Sequence, residues 1–399
     1  MDFSPALNNV LQTVNRWRQD DCYPLFPVIT ETGDTTARIR LASGSERPVT
    51  VFASADYLSL SRLEQVRQEV IAAVERFGTG AYATQAVGGF TTLHQELEKT
   101  VASYFGKPAA LLFPTGMQAN IGALATLARA GDTVLTDHLN HGSITMGVRL
   151  TGAHMVTFRH NNPRHLNELL NRAAGPGRRI VVVDGLFSAD GDLATLDEIA
   201  DVARNHGAVL VVDEAHSAGP LGATGRGAAE QLGVLDRVDV ITGTFSKAFA
   251  STGGFVCASE QVVDALRHTA VAYLLSLGLP PAAVGASLAA FKVLEKEGDE
   301  RRERLARNAR YLREQLREEG VDIAGSAAHV VVVLVGSVDR TARVTRRLRD
   351  EGLLVGPLFP PAVPIGGARL RLGVTAAHTE EELRRAVRLI PRALAEEPA

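Results

Sequence analysis

The chain has 399 residues, of which 45% are hydrophobic and 22% charged, and its formal net charge is −3. A chain of this length can bury a large core, and at roughly 100–200 residues per domain it can form more than one domain. The near-neutral charge argues against a protein that binds nucleic acid or anionic membranes, because such proteins carry a strong basic excess. The longest purely apolar run, Val330 to Val335, is far shorter than the ~18–20 residues of a membrane-spanning helix.

The chain start and the cysteines indicate the compartment. The first residues have neither the basic region nor the apolar region of a secretory signal. Only Cys22 and Cys257 occur, far apart in the sequence, which favours neither a disulfide framework nor a zinc site. We therefore expect a cytoplasmic protein without a metal.

Residues 1–50 are predicted to form an N-terminal arm. Val10, Val14 and Trp17 follow an amphipathic helical spacing, and a loop-rich stretch surrounds Pro24 and Pro27.

Residues 51–285 are predicted to form a large domain. From about residue 105 to residue 260, short β-branched runs alternate with segments of helical periodicity, such as 121–130 and 196–205. Continuous apolar strands separated by helices indicate a mostly parallel sheet that is covered on both faces. The candidate strands are Ala109–Phe113, Thr133–Thr136, Met155–Phe158, Ile180–Val183, Val209–Val212, Val238–Thr242 and Phe255–Ala258.

Residues 286–399 are predicted to form a small α/β domain. Two long helices, Pro280–Glu297 and Arg301–Glu319, lead into it. The pattern then alternates between strand and helix, over Val330–Val335, Ala342–Glu351, Arg369–Val374 and Glu380–Ala395.

The use of lysine singles out one residue. The chain has 37 arginines and only five lysines, four of which stand in charged or turn-like surroundings. Lys247 alone lies among small and apolar neighbours, in Gly243-Thr-Phe-Ser-Lys247-Ala-Phe249. Because arginine stays protonated and cannot act as a nucleophilic amine, Lys247 is the first candidate for chemistry.

Two further features lie at predicted strand ends, where ligands of open α/β sheets bind. Asp213 ends the strand Val209–Val212, and His216 follows three residues later. The strand ending at Phe113 leads through Gly116 into a helix, and such a turn presents backbone N–H groups to an anion such as phosphate. By itself, each feature also fits an ordinary helix cap or turn.

Taken together, the three features are the parts that pyridoxal 5′-phosphate requires. A lysine amine forms a Schiff base with the cofactor, a carboxylate pairs with the pyridinium nitrogen, and helix N–H groups hold the phosphate.

In the motifs given below, the chain resembles the α-oxoamine synthases, which are fold-type I pyridoxal-phosphate enzymes related to aspartate aminotransferase. The resemblance runs from Asp56-Tyr57-Leu58 to Ala377-His378-Thr379. Its motifs occur in order: Leu93-His94-x-x-Leu97-Glu98, Leu139-Asn140-His141-Gly-Ser143-Ile144, Phe187-Ser188-x-Asp190-Gly191-Asp192, Asp213-Glu-Ala-His216, Thr244-Phe-Ser-Lys247, and Pro360-Pro-Ala-Val-Pro364 before Arg369-Leu-Arg371.

The resemblance implies a fold, a reaction and a partner. The fold is a large domain with a mostly parallel seven-stranded sheet and a small C-terminal α/β domain. The reaction is the decarboxylative condensation of a small α-amino acid with an acyl thioester, carried on coenzyme A or a carrier protein, to give an α-amino ketone. A homodimer with active sites at its interface is expected, as is a role in biosynthesis.

The resemblance also implies a role for each matching residue. Lys247 forms the Schiff base and moves the proton at the α-carbon, Asp213 pairs with the ring nitrogen, and His141 stacks on the ring. The remaining cofactor contacts are His216 at the phenolic oxygen, Ser188 and Thr244 at cofactor oxygens, and the backbone amides of Gly116 and Met117 at the phosphate. Arg371 is expected to bind the amino acid's carboxylate, with Arg369 as a structural neighbour.

Several positions depart from the family pattern. Tyr82 and Gln85 place bulk in a loop that usually carries glycine, so Tyr82 is a candidate substrate contact in a reshaped donor pocket; harmless repacking is the alternative. Leu277 and Gly278 stand where hydroxyl residues are common, and Asp184 stands where glutamate is usual.

A further departure lies at residues 19–22, which lack the arginine cluster of oxononanoate synthases. These differences favour a divergent member in specialised metabolism.

Two other functions stay open on the sequence. One is a pyridoxal-phosphate enzyme of aldol or aminotransfer type that uses no thioester, as the altered loop permits. The other is a non-catalytic relative, against which the complete set of candidate residues argues.

Overall fold

The computed structural model describes residues 5–41, 44–173 and 175–398, and the side chains from residue 8 onward within them. The helices are α1 (Pro5–Gln19), α2 (Glu64–Phe77), α3 (Thr92–Phe105), α4 (Gly116–Leu127), α5 (Gly142–Arg149), α6 (Pro163–Arg172), α7 (Leu196–Asn205), α8 (Ala228–Gln231), α9 (Glu260–Thr269), α10 (Val271–Leu274), α11 (Pro281–Glu318), α12 (Val338–Asp350) and α13 (Glu380–Glu396). The strands are β1 (Val28–Thr32), β2 (Thr36–Arg40), β3 (Glu46–Val51), β4 (Ala109–Phe113), β5 (Thr133–Asp137), β6 (His154–Phe158), β7 (Arg179–Asp184), β8 (Val209–Asp213), β9 (Val240–Thr244), β10 (Gly254–Ala258), β11 (Val330–Gly336), β12 (Leu353–Leu354), β13 (Gly356–Leu358) and β14 (Ala368–Gly373).

The chain divides into two compact units. The larger unit comprises Ala55–Ser188 and Asp192–Glu303, and the smaller unit comprises Met1–Ser54, Ala189–Gly191 and Arg304–Ala399. The three-part division of the chain expected from its sequence stays a prediction.

A seven-stranded sheet organises the described part of the larger unit, in the order β4-β10-β9-β8-β7-β5-β6. The strands β5 to β9 pair in parallel, and β10 runs antiparallel to both β4 and β9. The inner strands are buried almost throughout, as expected of a sheet with helices on both faces. The predicted mostly parallel sheet is confirmed, and each of its seven strands lies within two residues of the predicted segment.

The order of this sheet creates a crevice. From β5 the chain moves outward to β6, whereas β7, β8 and β9 follow one another on the other side of β5. The direction of winding therefore changes between β5 and β7, and ligands of such sheets bind outside the strand ends at this point.

The smaller unit contains two further sheets among its described residues. One has the order β1-β2-β3-β12, and the other the order β11-β14-β13. Trp17 of α1 is buried against Phe359, with ring centroids 5.0 Å apart. The predicted strand and helix pattern after residue 320 is present, with the added short strands β12 and β13.

Two sequence-based expectations were wrong. The N-terminal segment contains the strands β1 to β3 after its helix, where only a loop-rich stretch was expected. The two long helices expected near residue 300 are one helix, α11. The ion pair Glu297–Arg301 spans Gly298 and the pair Asp299–Arg302 follows it, and both support the helix there, since neighbours three and four residues apart share a helix face.

Among the described residues, no helix combines the length and the apolarity needed to cross a membrane.

Candidate active site

A cavity of about 240 Å³ opens at the carboxyl ends of the strands in the larger unit. It lies at the change of winding direction and collects side chains from loops that follow β4, β5, β7, β8 and β9. Its lining consists of Thr115, Gly116, Met117, Asn120, His141, Ser143, Asp184, Leu186, Asp213, Ala215, His216, Thr244, Ser246 and Lys247. Seven residues predicted from the sequence are therefore together: Gly116, Met117, His141, Asp213, His216, Thr244 and Lys247.

Lys247 lies three residues beyond the end of β9, and its side chain is half-buried. The turn that carries it is fixed by the hydroxyl of Thr244, which donates to the Gly253 carbonyl at 2.7 Å and accepts from the Ser246 N–H at 3.2 Å. These bonds hold the amine in a defined loop at the edge of the cavity.

Asp213 ends β8 as a buried carboxylate with two intramolecular donors. The side-chain amide of Asn120 donates to its Oδ2 at 2.6 Å, and the Ala215 N–H donates to its Oδ1 at 2.9 Å. Asn120 is oriented in turn by the hydroxyl of Thr242, which donates to its carbonyl oxygen at 2.6 Å. These two donors fix the orientation of the Asp213 carboxyl group at the cavity wall.

His216 follows in the turn after β8, beside a buried tyrosine. Its Nδ1 lies 2.8 Å from the hydroxyl of Tyr57, whose side chain is fully buried. This contact helps to fix the orientation of the imidazole.

His141 caps the start of α5, and two contacts set its position. Its Nδ1 lies 2.7 Å from the hydroxyl of Ser143, and its backbone N–H donates to Asp184 Oδ2 at 3.0 Å. The imidazole therefore has a fixed orientation at the cavity wall.

The N-terminus of α4 forms one end of the cavity. Thr115 caps this helix by accepting the Gln118 N–H at 3.1 Å, and Gly116 and Met117 follow as its first residues. A Cβ at Gly116 would stand 2.8 Å from the Thr244 Cβ, so this close approach needs glycine. The unpaired N–H groups and the helix dipole favour a bound anion at this end.

A third histidine, His160, lies outside the cavity lining. His160 places Nδ1 2.9 Å from Asp137 and Nε2 2.8 Å from Asp192. Burial alone would lower the pKa of His160, but the bonds to the two carboxylates raise it to about 10. His160 thereby joins the end of β5 to the loop that follows β7.

Buried acids accompany the site. Burial raises the pKa of Glu214 to about 7, although the backbone N–H groups of Ala228 and Ala229 donate to this carboxyl at 2.8 and 2.9 Å. Burial, followed by the charge of Asp213, raises the pKa of Asp184 well above its ordinary value.

Three residues predicted from the sequence lie outside the described cavity lining. Ser188 is in the turn beyond Leu186. The side chain of Tyr82 is 89% exposed. Arg371 lies in the smaller unit on β14, in register with Val332. The roles expected for Ser188, Tyr82 and Arg371 stay predictions.

Arg369 shares β14 with Arg371 and is buried. It donates to Asp190 at 2.6 Å and to the carbonyl of Ala189 at 2.9 Å, which ties residues 189–191 to the smaller unit.

Gln85 and Gly278, two of these departures, pack closely against each other. Gln85 is buried and donates from Nε2 to the Leu112 carbonyl at 3.3 Å. A Cβ at Gly278 would stand 2.8 Å from the Gln85 Cγ, so the glycine leaves the space that the glutamine fills. Gln85 is thus packed inside the protein while Tyr82 faces solvent, and the choice between a reshaped donor pocket and a harmless repacking stays a prediction.

Sequence reasoning missed Asn120, Ser143 and Tyr57 as site residues. For Asn120 a signal existed, since it is a polar residue on the apolar face of α4, whose neighbours Ala119 and Ala123 are buried. For Tyr57 the contact with His216 spans 159 positions, and no local pattern predicts it.

This fold and this constellation define a class: an α/β enzyme with a lysine, a paired carboxylate and an anion-binding helix end in one crevice. A model of the family "Aminotransferase class I and II" matches residues 47–390. The 8-amino-7-oxononanoate synthase of Geobacter metallireducens is 42% identical over 362 residues, covering 88% of this chain and 93% of that protein. The same enzyme of Pseudomonas entomophila is 43% identical over 351 residues, covering 88% of each chain.

Solved structures give the same result. Serine palmitoyltransferase from S. paucimobilis, solved with bound PLP, superposes with a TM-score of 0.94 at 30% identity, covering 99% of each chain. The 8-amino-7-oxononanoate synthase of Francisella tularensis superposes with a TM-score of 0.75 at 25% identity, covering 88% of this chain and 98% of that one. The chain belongs to the aminotransferase class I and II family and, within it, to the α-oxoamine synthases. The family and the fold type predicted from the sequence are confirmed.

Proposed function

We propose that this chain is a pyridoxal-phosphate-dependent acyltransferase that condenses a small α-amino acid with an acyl thioester. The products are an α-amino ketone, carbon dioxide and the free thiol, with one proton taken up. The observation that carries the proposal is the cavity in which Lys247, Asp213, His141, His216 and the N-terminus of α4 meet.

The residues of this cavity fit pyridoxal phosphate. Because Gly116 has no side chain, the start of α4 can lie close to Thr244 and present its backbone N–H groups to a phosphate. The Asp213 carboxyl group, with its two hydrogen-bond donors, suits a protonated ring nitrogen. When bound, the cofactor supplies an aldehyde that condenses with amines and a ring that accepts electron density from the α-carbon.

Each of the chain's own residues would have a separate role in binding the cofactor and moving protons. The amine of Lys247 holds the cofactor and then moves the proton at the α-carbon. Asp213 keeps the ring nitrogen protonated, because a nearby negative charge favours the protonated form. The backbone of Gly116 and Met117 binds the phosphate.

The other contacts position the reactants. His216, oriented by Tyr57, is placed to bond the phenolic oxygen, and His141 is placed to lie on the ring face and polarise the acyl carbonyl. Thr244 and Ser188 contact cofactor oxygens, and Arg371 binds the substrate carboxylate as a bidentate fork. Tyr82 remains a candidate contact for the acyl donor.

The relatives point to the size of the amino acid. One group of solved relatives is named for serine, and the amino ketone end of 8-amino-7-oxononanoate corresponds to alanine that has lost its carboxyl group. We expect an amino acid of this size here, in a biosynthetic reaction of specialised metabolism in the cytoplasm.

We also propose a homodimer. Val87, Leu275 and Leu277 are 81%, 79% and 58% exposed, and the bridge between Thr84 and Leu277 brings their loops together. Such adjoining apolar side chains are typical of a surface covered by a partner. Light scattering at micromolar concentration should give twice the chain mass, and a monomer would contradict this proposal.

The amino acid can be identified without an acyl donor. Protein loaded with pyridoxal phosphate is incubated in heavy water with glycine, alanine, serine and larger amino acids, and deuterium uptake at the α-carbon is followed by mass spectrometry. We expect exchange with one small amino acid. No exchange with any of them, with or without an acyl thioester, would contradict the proposed function.

A further inference from the structure

The side chain of Asn140 extends the hydrogen bonding between β5 and β7 beyond the end of their ladder. The last residue pair of this ladder is Thr136 with Val182, and the chain then leaves β5 in a turn at residues 138–139. The Asn140 Nδ2 donates to the Val182 carbonyl at 2.8 Å, and the Asp184 N–H donates to the Asn140 Oδ1 at 2.9 Å. One side-chain amide thus bonds the two main-chain groups of β7 that the main chain of β5 no longer reaches.

This amide has one orientation. Its Nδ2 also donates to the hydroxyl of Thr136 in β5 at 2.8 Å. Because the Val182 carbonyl can only accept and the Asp184 N–H can only donate, the nitrogen and the oxygen of the amide cannot exchange places. Asn140 therefore bonds both strands at the place where the direction of winding changes.

A second hydrogen bond joins the same two segments. The Oδ2 of Asp184 accepts from the His141 N–H at 3.0 Å. Asp184 is therefore bonded to two successive residues, by its own N–H to the Asn140 side chain and by its carboxyl group to the His141 main chain. Because both bonds must break before residues 140–141 can move away from β7, they hold the main chain of His141 against this strand.

Hydrogen bonds must set the position of His141, because this residue is exposed and packing contributes little. β7, to which they tie it, is paired with β8, and Asp184 stands directly opposite Asp213 in that pairing. His141 and Asp213 both line the cavity, whereas Asn140 lies outside its lining. The bonds of Asn140 therefore bear on the distance between the two cavity residues without reaching the reactants.

We propose that Asn140 is a positioning residue for the reaction: its amide holds His141 at the place, relative to Asp213, where the imidazole lies against the bound cofactor. The inference rests on the proposed function for the role of His141. Asn140 acts through His141 and not by contact with the cofactor or the substrates.

Asn140→Ala removes all three hydrogen bonds of the amide. Asn308→Ala is the matched control, because Asn308 is also partly buried and also bonds main-chain groups, donating to the carbonyls of Thr375 and His378 at 3.1 and 2.9 Å. Both variants should lose stability, but only Asn140→Ala should affect His141. If Asn140→Ala does not fold, Asn140→Asp replaces it in the same measurements, since it keeps the size of the side chain and loses both donors.

The first readout is amide hydrogen exchange of the full chain loaded with pyridoxal phosphate, followed by mass spectrometry. In Asn140→Ala the amides of residues 138–143 should exchange about tenfold faster than in the wild type, because local opening no longer breaks the Asn140 bonds. Exchange of this segment should be unchanged in Asn308→Ala. Unchanged exchange in Asn140→Ala would overturn the proposal. This readout needs no turnover, so it is independent of whether the proposed reaction is right.

The second readout is a double-mutant cycle of kcat with His141→Ala. Asn140→Ala should lower kcat about tenfold in the wild-type background and less than about twofold in the His141→Ala background, because the imidazole that it positions is then absent. Asn308→Ala should leave kcat unchanged. Equal losses from Asn140→Ala in the two backgrounds are the result of a merely structural role and would overturn the proposal. If the wild type catalyses no condensation, the proposed function fails, and the hydrogen exchange alone decides about Asn140.

Discussion

Asn120 donates a hydrogen bond of 2.6 Å to Asp213, which connects the helix that opens the anion site with the carboxylate at the end of β8. The same amide group donates to Ser143 at 2.9 Å, and Ser143 contacts His141. One asparagine thus connects the carboxylate proposed for the ring nitrogen with the histidine proposed for the ring face.

Asn120→Ala should lower kcat about tenfold and should change the pH at which the absorbance of the bound cofactor changes. The reason is that loss of one buried donor to a charged acceptor costs about 1–3 kcal/mol and leaves Asp213 with a single intramolecular donor. Steady-state kinetics and a pH titration of the absorbance measure both effects. Gln118→Ala in the same helix, whose side chain bonds Ser276, is the control. Equal behaviour of the two variants would show that Asn120 does not orient Asp213.

Lys247→Ala should abolish the absorbance of lysine-bound cofactor and lower condensation at least ~100-fold, because the general acid/base at the α-carbon is removed. Lys292→Ala is the matched control, since this exposed lysine lies outside the cavity lining and pairs with Glu69 at 3.0 Å. Rates and spectra of both variants are compared under saturating cofactor. Normal α-proton exchange in Lys247→Ala would contradict the assignment.

Gly116→Ala should weaken cofactor binding about tenfold, because the new Cβ meets the Thr244 Cβ at 2.8 Å and the Gly243 carbonyl oxygen at 3.3 Å. Gly142→Ala is the control, because it also starts a helix at this edge of the sheet but has open space around a Cβ. Titration of apoprotein with pyridoxal phosphate gives both affinities. Equal affinities would show that the close contact at Gly116 does not shape the anion site.

His160→Gln should lower the free energy of unfolding by about 1–3 kcal/mol near pH 6.5, because the imidazolium bonds two carboxylates. Its pKa of about 10 in the folded protein lies above the ordinary value of 6.5. The stabilisation is therefore complete below pH 6.5 and disappears as the pH rises towards 10.

Denaturant unfolding of the wild type and the variant at several pH values tests this dependence. His206→Gln, where the imidazole contacts the neutral side-chain amide of Asn167 at 2.7 Å, is the comparison. A difference between wild type and His160→Gln that grows with pH would refute the ion-pair account.

The sequence predicts the sheet of the larger unit well for a physical reason. Its strands are buried on both faces and read as continuous apolar runs, such as Val209–Val212, so burial and sequence carry the same signal. The strands β1 to β3 were missed because they are largely exposed, with charged and polar residues such as Glu31 and Arg38. The break expected near Gly298 did not occur, because nearby ion pairs support the helix.

The site was predictable where chemistry restricts the residue type. A lysine in apolar surroundings in an arginine-rich chain, and an acid at the end of a strand, can be recognised from the sequence alone. Lys247 and Asp213 do line one cavity. Asn120 and Tyr57 act through contacts with residues far along the chain, so only the folded structure shows them. The bonds from the Asn140 side chain to β7 are likewise visible only in three dimensions.

The most direct test of the proposed reaction is its stoichiometry. Protein loaded with pyridoxal phosphate is given the amino acid that exchanges its α-proton, together with acyl-coenzyme A, and thiol and carbon dioxide are measured in the same sample. The account predicts equal amounts of both, dependent on the amino acid and lost in Lys247→Ala. A new amine product formed with neither thiol nor carbon dioxide would contradict it and assign the site to aldol-type or aminotransfer chemistry instead.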